Sequence, residues 1–256
     1  MKLAQALDIR SREVISIVGG GGKTTLMFAL AQELASDVIP VVTTTTTRII
    51  KPSSSETQTI IVETDEDDLI KTLLQNLDKF NNITLVSQKF PSGKLTGISP
   101  ELVDRLSRLD QTPYIIVEAD GAARKALKAP NLTEPVIPDS TSLMIPIVGI
   151  DVAGCPMTRE YVFRPEIASS LSGIPLGGII TPEAIARLII HPQGIIKGNS
   201  PHSRIIPFIN KVDLKDSLSK GRETAEKILT KKHPQIERVL LGQVQLADPV
   251  VEVIER

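Results

Sequence analysis

Tryptophan is absent from this 256-residue chain, and phenylalanine and tyrosine together supply only seven side chains. So few rings weigh against a protein that binds single strands by stacking bases. A lone cysteine, Cys155, has no partner for an intramolecular disulfide. No apolar run approaches the roughly 18 residues of a membrane span, and the opening MKLAQALDIRSREV lacks the apolar segment and small-residue cleavage site of a secretory signal. Neither sign of charge predominates: 29 basic against 30 acidic residues leave a net charge of -1, with no general attraction to nucleic acid or to an acidic bilayer. A cytoplasmic protein with no nucleic-acid and no membrane partner is the expectation.

What the chain does have is branched aliphatic residues. It carries 32 Ile and 19 Val, within 41% hydrophobic and 23% charged residues overall, a balance that excludes disorder. Ile and Val without aromatics suit parallel strands buried on both faces. Short apolar runs recur at Val14–Val18, Val38–Thr43, Thr59–Val62, Ile83–Val86, Tyr114–Val117, Leu143–Val148, Ile205–Ile209 and Val239–Leu241. Between them lie segments with helix-start signals. Ser99-Pro100-Glu101 and Thr181-Pro182-Glu183 each put a capping hydroxyl before a proline at the first helical position, and Thr64 with Asp67 resembles a capping box. Alternating strands and helices predict an α/β fold with a mostly parallel sheet flanked by helices, P-loop NTPase-like. One domain over residues 1–256 is expected, with a Pro/Gly-rich insertion or subdomain at about 150–203, since six prolines fall between Pro156 and Pro201.

The first strand runs into Gly19-Gly20-Gly21-Gly22-Lys23-Thr24-Thr25 and then an amphipathic helix. Glycines let the backbone turn N–H groups inward, and the helix offers its positive end to an anion, so this segment is read as a polyphosphate loop. Lys23 is expected beside the β- and γ-phosphates, and Thr24 on a magnesium ion. The spacing is the short G-x-x-G-K-T-T form, similar to that of Mur-type ligases. Glu118-Ala119-Asp120-Gly121 closes another apolar strand, where carboxylates face the ligand crevice of an open sheet. Glu118 and Asp120 are therefore candidates to organise magnesium and an attacking water. Arg124, Lys125 and Lys128 follow, and suit either a patch that neutralises transferring phosphate or a solvated helix face. Thr43–Thr47 suit either a metal-contacting switch or simple strand propensity.

Asn210-Lys211-Val212-Asp213 follows a late strand and resembles the guanine-reading element of GTPases. There an aspartate such as Asp213 accepts from the ring N–H and amine that adenine lacks, Lys211 lies along the base and Asn210 braces the loop. GTP is favoured over ATP on this motif. His191, His202 and His233 are far apart in sequence, and Cys155 reads as a small core thiol or a sulfur or selenium acceptor.

GGGGKTT, TTTTTRI, VEADGAARKALKAP, VGIDVAG with RPEIASSL, and PFINKVD together resemble the YqeC family, accessory proteins of selenium-dependent molybdenum hydroxylases. The resemblance implies a cytoplasmic nucleotide-binding factor whose protein partner is a molybdenum hydroxylase or its maturation machinery. More distantly, the set is similar to metallochaperone GTPases of nickel and cobalamin enzymes, from which the short glycine loop and the lack of clustered Cys or His depart. Three functions are in play. The leading one is a magnesium-dependent GTPase or ATPase driving a maturation step. The others are an ATP-dependent kinase or ligase acting on a small cofactor precursor, and a non-catalytic scaffold gated by nucleotide.

Overall fold

The computed structural model describes residues 1–35, 39–111 and 113–256. Val14–Gly19 (β1), Val41–Thr45 (β2), Thr59–Val62 (β3), Asn82–Val86 (β4), Tyr114–Glu118 (β5), Leu143–Gly149 (β6), Phe208–Asn210 (β7), Arg238–Gly242 (β8) and Val250–Glu255 (β9) share one sheet. Their order is β9-β8-β7-β6-β1-β5-β2-β4-β3, with Arg204–Ile205 also pairing to β6. Every pairing is parallel except that of β8 with the edge strand β9. The expected α/β architecture is what the chain adopts, a P-loop NTPase-like fold. Val38, where the second strand is expected to begin, lies outside the described residues. The run Ile205–Ile209 is two strands rather than one, because Pro207 between them has no N–H for the ladder.

Alternation along the buried strands divides the core in two. In β1, Val14 and Val18 join one apolar cluster while Ile15 and Ile17 join the other. The first cluster takes residues from Glu66–Leu74 (α3), Pro100–Leu106 (α4), Pro182–Ile190 (α6) and Ser217–Thr230 (α7). The second takes residues from Leu3–Ala6 (α1) and Lys23–Leu34 (α2). Helices therefore cover both faces, as a parallel sheet requires. The Pro/Gly-rich stretch, which includes Pro165–Ser172 (α5) and α6, puts Ala168, Ile185, Leu188 and Ile196 into the first cluster beside Val148 of β6. Among the described residues, no helix is long and apolar enough to cross a membrane.

The proline-led helices start as expected. Ser99 Oγ accepts from Leu102 N at 3.0 Å and Thr181 Oγ1 from Ala184 N at 3.2 Å. The cap of α3 differs. Asp65, in extended backbone, accepts from the N–H groups of Asp67 and Asp68, and the Thr64 hydroxyl donates instead to Ser87 O. A carboxylate one residue later reaches the same free amides and also meets the positive helix end.

Candidate functional site

Parallel strands bring their carboxyl ends to one edge, and β1 stands where the order turns outward in both directions, the place where such sheets bind ligands. There Gly149, Asn210 and Gly242 lie abreast on β6, β7 and β8, and Glu118 lies abreast of Ile17 and Thr45. A cleft of about 750 Å³ opens over these ends. Gly21, Gly22, Lys23, Thr24 and Thr25 line its middle with Glu118; Asn210 and Lys211 line one end.

The glycine run joins β1 to α2, and its first three amides are held by protein acceptors rather than turned toward a ligand. Gly19 N donates to Asp120 Oδ2, Gly20 N to Ile147 O and Gly21 N to Lys125 O. These three bonds pin the loop against its neighbours. The amides of Gly22, Lys23, Thr24 and Thr25 have no protein acceptor among the described residues, which leaves a ready anion site at the start of α2.

Beneath that helix end, Thr24 Oγ1 donates to Glu118 Oε2 at 2.6 Å. Lys23 Nζ donates to Gly19 O at 2.7 Å and stands 3.7 Å from Glu118 Oε1 and 3.3 Å from Asp120 Oδ1. Burial pushes the Glu118 carboxyl above its usual range, against the opposing pull of Lys23 and of the Thr24 hydroxyl. The two acids, which the sequence treats alike, differ in place. Glu118 lines the cleft, whereas Asp120 lies behind it, tied to Gly19 N, Lys23 and Lys128. Thr24 and Glu118 offer hard oxygen donors side by side, a set that fits magnesium, which takes one or two carboxylates and completes its shell from phosphate and water.

Lys128 is fully buried, not on a solvated helix face. No helix follows Gly121; Leu127–Lys128 is a short strand paired with Val162–Phe163. Lys128 Nζ lies 3.0 Å from Asp120 Oδ2 and 2.8 Å from Glu134 Oε2, and Arg164 Nη1 lies 2.6 Å from the same Glu134 oxygen. Burial alone would raise the Glu134 carboxyl; hydrogen bonds from Arg164 and Lys128 outweigh it and hold the group below its usual range. A depressed carboxyl stabilises the fold above its unfolded pKa of about 4.3, and that contribution is lost as pH falls through the lower folded value. Glu134→Gln is therefore expected to be less stable than the native chain at pH 7, with the difference shrinking below about pH 4. Urea unfolding at several pH values measures it.

At the other end, Asn210 does the bracing expected of it. Its Nδ2 donates to Gly21 O at 2.8 Å, and its Oδ1 accepts from Val244 N at 3.1 Å. Lys211, in left-handed backbone, reaches Asp151 Oδ2 at 2.6 Å, and exposed Asp213 accepts from Gln243 Nε2 at 3.0 Å. The threonine run is spent inside the protein. Thr43 bonds Thr84, Thr44 donates to Leu85 O, Thr45 to Glu118 O and Thr46 to Val136 O, while Thr47 N–H donates to Thr45 Oγ1. None of the five lines the cleft, which fits the strand reading over the switch. Cys155 is half-buried rather than in the core, and burial, with Asp151 nearby, pushes its thiol up, away from a reactive thiolate. No group of three His, Cys, Asp or Glu side chains able to hold a metal occurs among the described residues.

Sequence reasoning missed Glu134 and Arg164, and only their charge in a Pro-rich stretch hints at them. It also missed the loop at Val244, whose N–H meets Asn210.

Comparison with known proteins places these residues. The family model described as YqeC protein matches residues 15–166, which include the glycine loop, Glu118, Asp120, Lys128, Glu134 and Arg164 but not Asn210–Asp213. An "Uncharacterized protein YqeC" of Escherichia coli (strain K12) is 31% identical over 159 residues, 62% of this chain and 61% of that protein. With a match over more than half its length, the chain belongs to the YqeC family.

Proposed function

We propose that this protein binds a nucleoside triphosphate with magnesium across the carboxyl ends of β1, β5 and β7 and hydrolyses it, preferring GTP to ATP. The observation that carries the reading is the helix end of α2: four amides without acceptors stand directly over the Thr24–Glu118 contact and the Lys23 ammonium. The amides and Lys23 hold phosphate oxygens; Thr24 and Glu118 hold magnesium, which neutralises charge developing on the transferring phosphoryl group. Glu118, at the cleft wall, orients water, and Asp120 keeps Lys23 in place from behind. Asn210 ties the glycine loop to the Val244 loop, and Asp213, beside the cleft rather than lining it, exchanges its bond with Gln243 for guanine. The proposed setting, maturation of a selenium-dependent molybdenum hydroxylase, rests on the YqeC resemblance.

Titration of the purified chain with GTP and with ATP in magnesium, by calorimetry, tests the reading. Saturable binding is expected for the native chain, weakened at least about tenfold by Lys23→Ala. Asp213→Ala should lower GTP affinity and leave ATP unchanged. No saturable binding of either nucleotide would overturn the proposal. A small-molecule kinase or ligase is the second reading, and one feature of the cleft favours it.

A further inference from the structure

Arg48, just after β2, and Lys94 line the cleft on the opposite side of β1 from Asn210 of β7, and Arg124 and Lys125 line it as well, Lys125 against Gly21 of the glycine loop. None of the four has a carboxylate within ion-pair distance among the described residues; Lys125 donates to a carbonyl, Glu160 O. The buried network behind them is balanced by itself, with Lys23, Lys128 and Arg164 against Glu118, Asp120 and Glu134. A triphosphate with magnesium carries about two net negative charges. Arg124 and Lys125, three and four residues after Gly121 at the carboxyl end of β5, match that charge. Arg48 and Lys94 are left over.

These two residues are held by a separate device. Arg48–Ile50, Lys94–Thr96 and Gln88–Lys89 form a small antiparallel sheet, with Ile50 opposite Lys94 and Arg48 opposite Thr96. Ile49 and Leu95 pack into the core, Ile49 also reaching the cleft wall, and Arg48, Ile50 and Lys94 line the cleft from the other face of the strands. The Arg48 guanidinium lies 5.0 Å from the centre of the Phe90 ring, which positions it without neutralising it. Ile50, opposite Lys94 and two residues along the strand from Arg48, is 56% exposed although large and apolar.

Two exposed cations without carboxylate partners beside an exposed isoleucine, all on the wall of the cleft, suit a small dianion with an apolar body. Resting on the nucleotide reading above, we propose that Arg48 and Lys94 bind a second ligand, a phosphate monoester, beside the triphosphate, with its apolar part on Ile50. The nucleotide and the ester then share one cleft. Such an arrangement belongs to an enzyme with two substrates, and it gives the kinase or ligase reading its support.

Phenyl phosphate and inorganic phosphate serve as probes, titrated calorimetrically into the full chain saturated with magnesium and a non-hydrolysable GTP analogue. Saturable binding is expected for both, tighter for phenyl phosphate, and weakened at least about tenfold in the Arg48→Ala, Lys94→Ala double variant. The same variant should change affinity for the analogue by less than about twofold. Absence of phenyl phosphate binding, or an equal loss of both ligands in the variant, overturns the proposal; the second outcome would assign the two cations to the γ-phosphate. If the nucleotide reading itself fails, the probes are titrated into nucleotide-free protein. Phenyl phosphate binding must then survive Lys23→Ala and fall in the double variant, and the reverse pattern refutes the second site.

Discussion

Replacing Lys128 with methionine is expected to cost about 3–5 kcal/mol of stability, although methionine fills nearly the same volume and adds no polar group. The cost lies in what remains. Asp120 and Glu134 each lose a buried ammonium at 3.0 and 2.8 Å, and the Gly121 carbonyl loses its donor at 2.7 Å. Asp120 is 1% exposed, so water cannot replace the lost partner, and Lys23 already stands on its other oxygen. Removing one member of a buried pair strands the other charge, whereas removing both can be close to neutral. Glu134 keeps Arg164 at 2.6 Å, so the stranded charge is that of Asp120, and adding Asp120→Asn to Lys128→Met should recover part of the loss. Urea midpoints of the two variants measure the difference, and a single variant as stable as the native chain would show that Lys128 is not the buried partner described above. The same chain of charges runs from Lys23 after the glycine loop to Arg164 at the start of α5, so these variants also report how firmly the Pro/Gly-rich segment is tied to the cleft.

Features local in sequence were legible, and features assembled from distant residues were not. Gly19–Thr25, the acids after β5 and Asn210–Asp213 are each contiguous, so spacing alone exposes them. Apolar runs revealed the parallel strands for the same reason. Lys128 reads as one cation in a basic run because its partners lie at 120 and 134, with Arg164 beyond them on Glu134, and no periodicity links them. The edge strand β9, VVEVIE, is fully buried only at Val250 and is interrupted by Glu252, so it lacks the continuous apolar signal of its neighbours. Helix α7 has no comparable start signal, because SLSKGRETAEKILT is polar and carries Gly221 in its second turn. That glycine has a packing reason: a methyl there would press on Val212, 3.2 Å away. The threonine run shows the converse limit, since five hydroxyls near a phosphate loop suggest a ligand until their protein partners are seen.

Gly21→Ala is expected to damage the site severely, and a second glycine shows why. Gly21 and Gly93 both have φ of 79°, so alanine pays a left-handed penalty of about 1–2 kcal/mol at either. At Gly93 an added methyl meets nothing within 4 Å. At Gly21 it overlaps the Gly149 amide nitrogen and comes within 2.7 Å of Gly149 Cα and 3.0 Å of Ala126 O, all backbone that no rotamer change relieves. Gly149 N donates to Ala126 O at 3.0 Å, so the methyl enters a closed hydrogen-bonded corner between β6 and the segment after β5. To escape, the loop must lift, breaking the bond of Gly21 N to Lys125 O and that of Asn210 to Gly21 O. Overpacking adds about 1–3 kcal/mol to the backbone term, so Gly21→Ala should lose roughly 2–5 kcal/mol where Gly93→Ala loses about 1–2. Because the lifted segment carries the free amides of Gly22–Thr25, nucleotide affinity should fall at least about a hundredfold in Gly21→Ala and stay unchanged in Gly93→Ala. Thermal unfolding and nucleotide titration of the two variants separate close approach from backbone strain: equal losses in both would assign the whole effect to φ and none to the contact of the loop with β6.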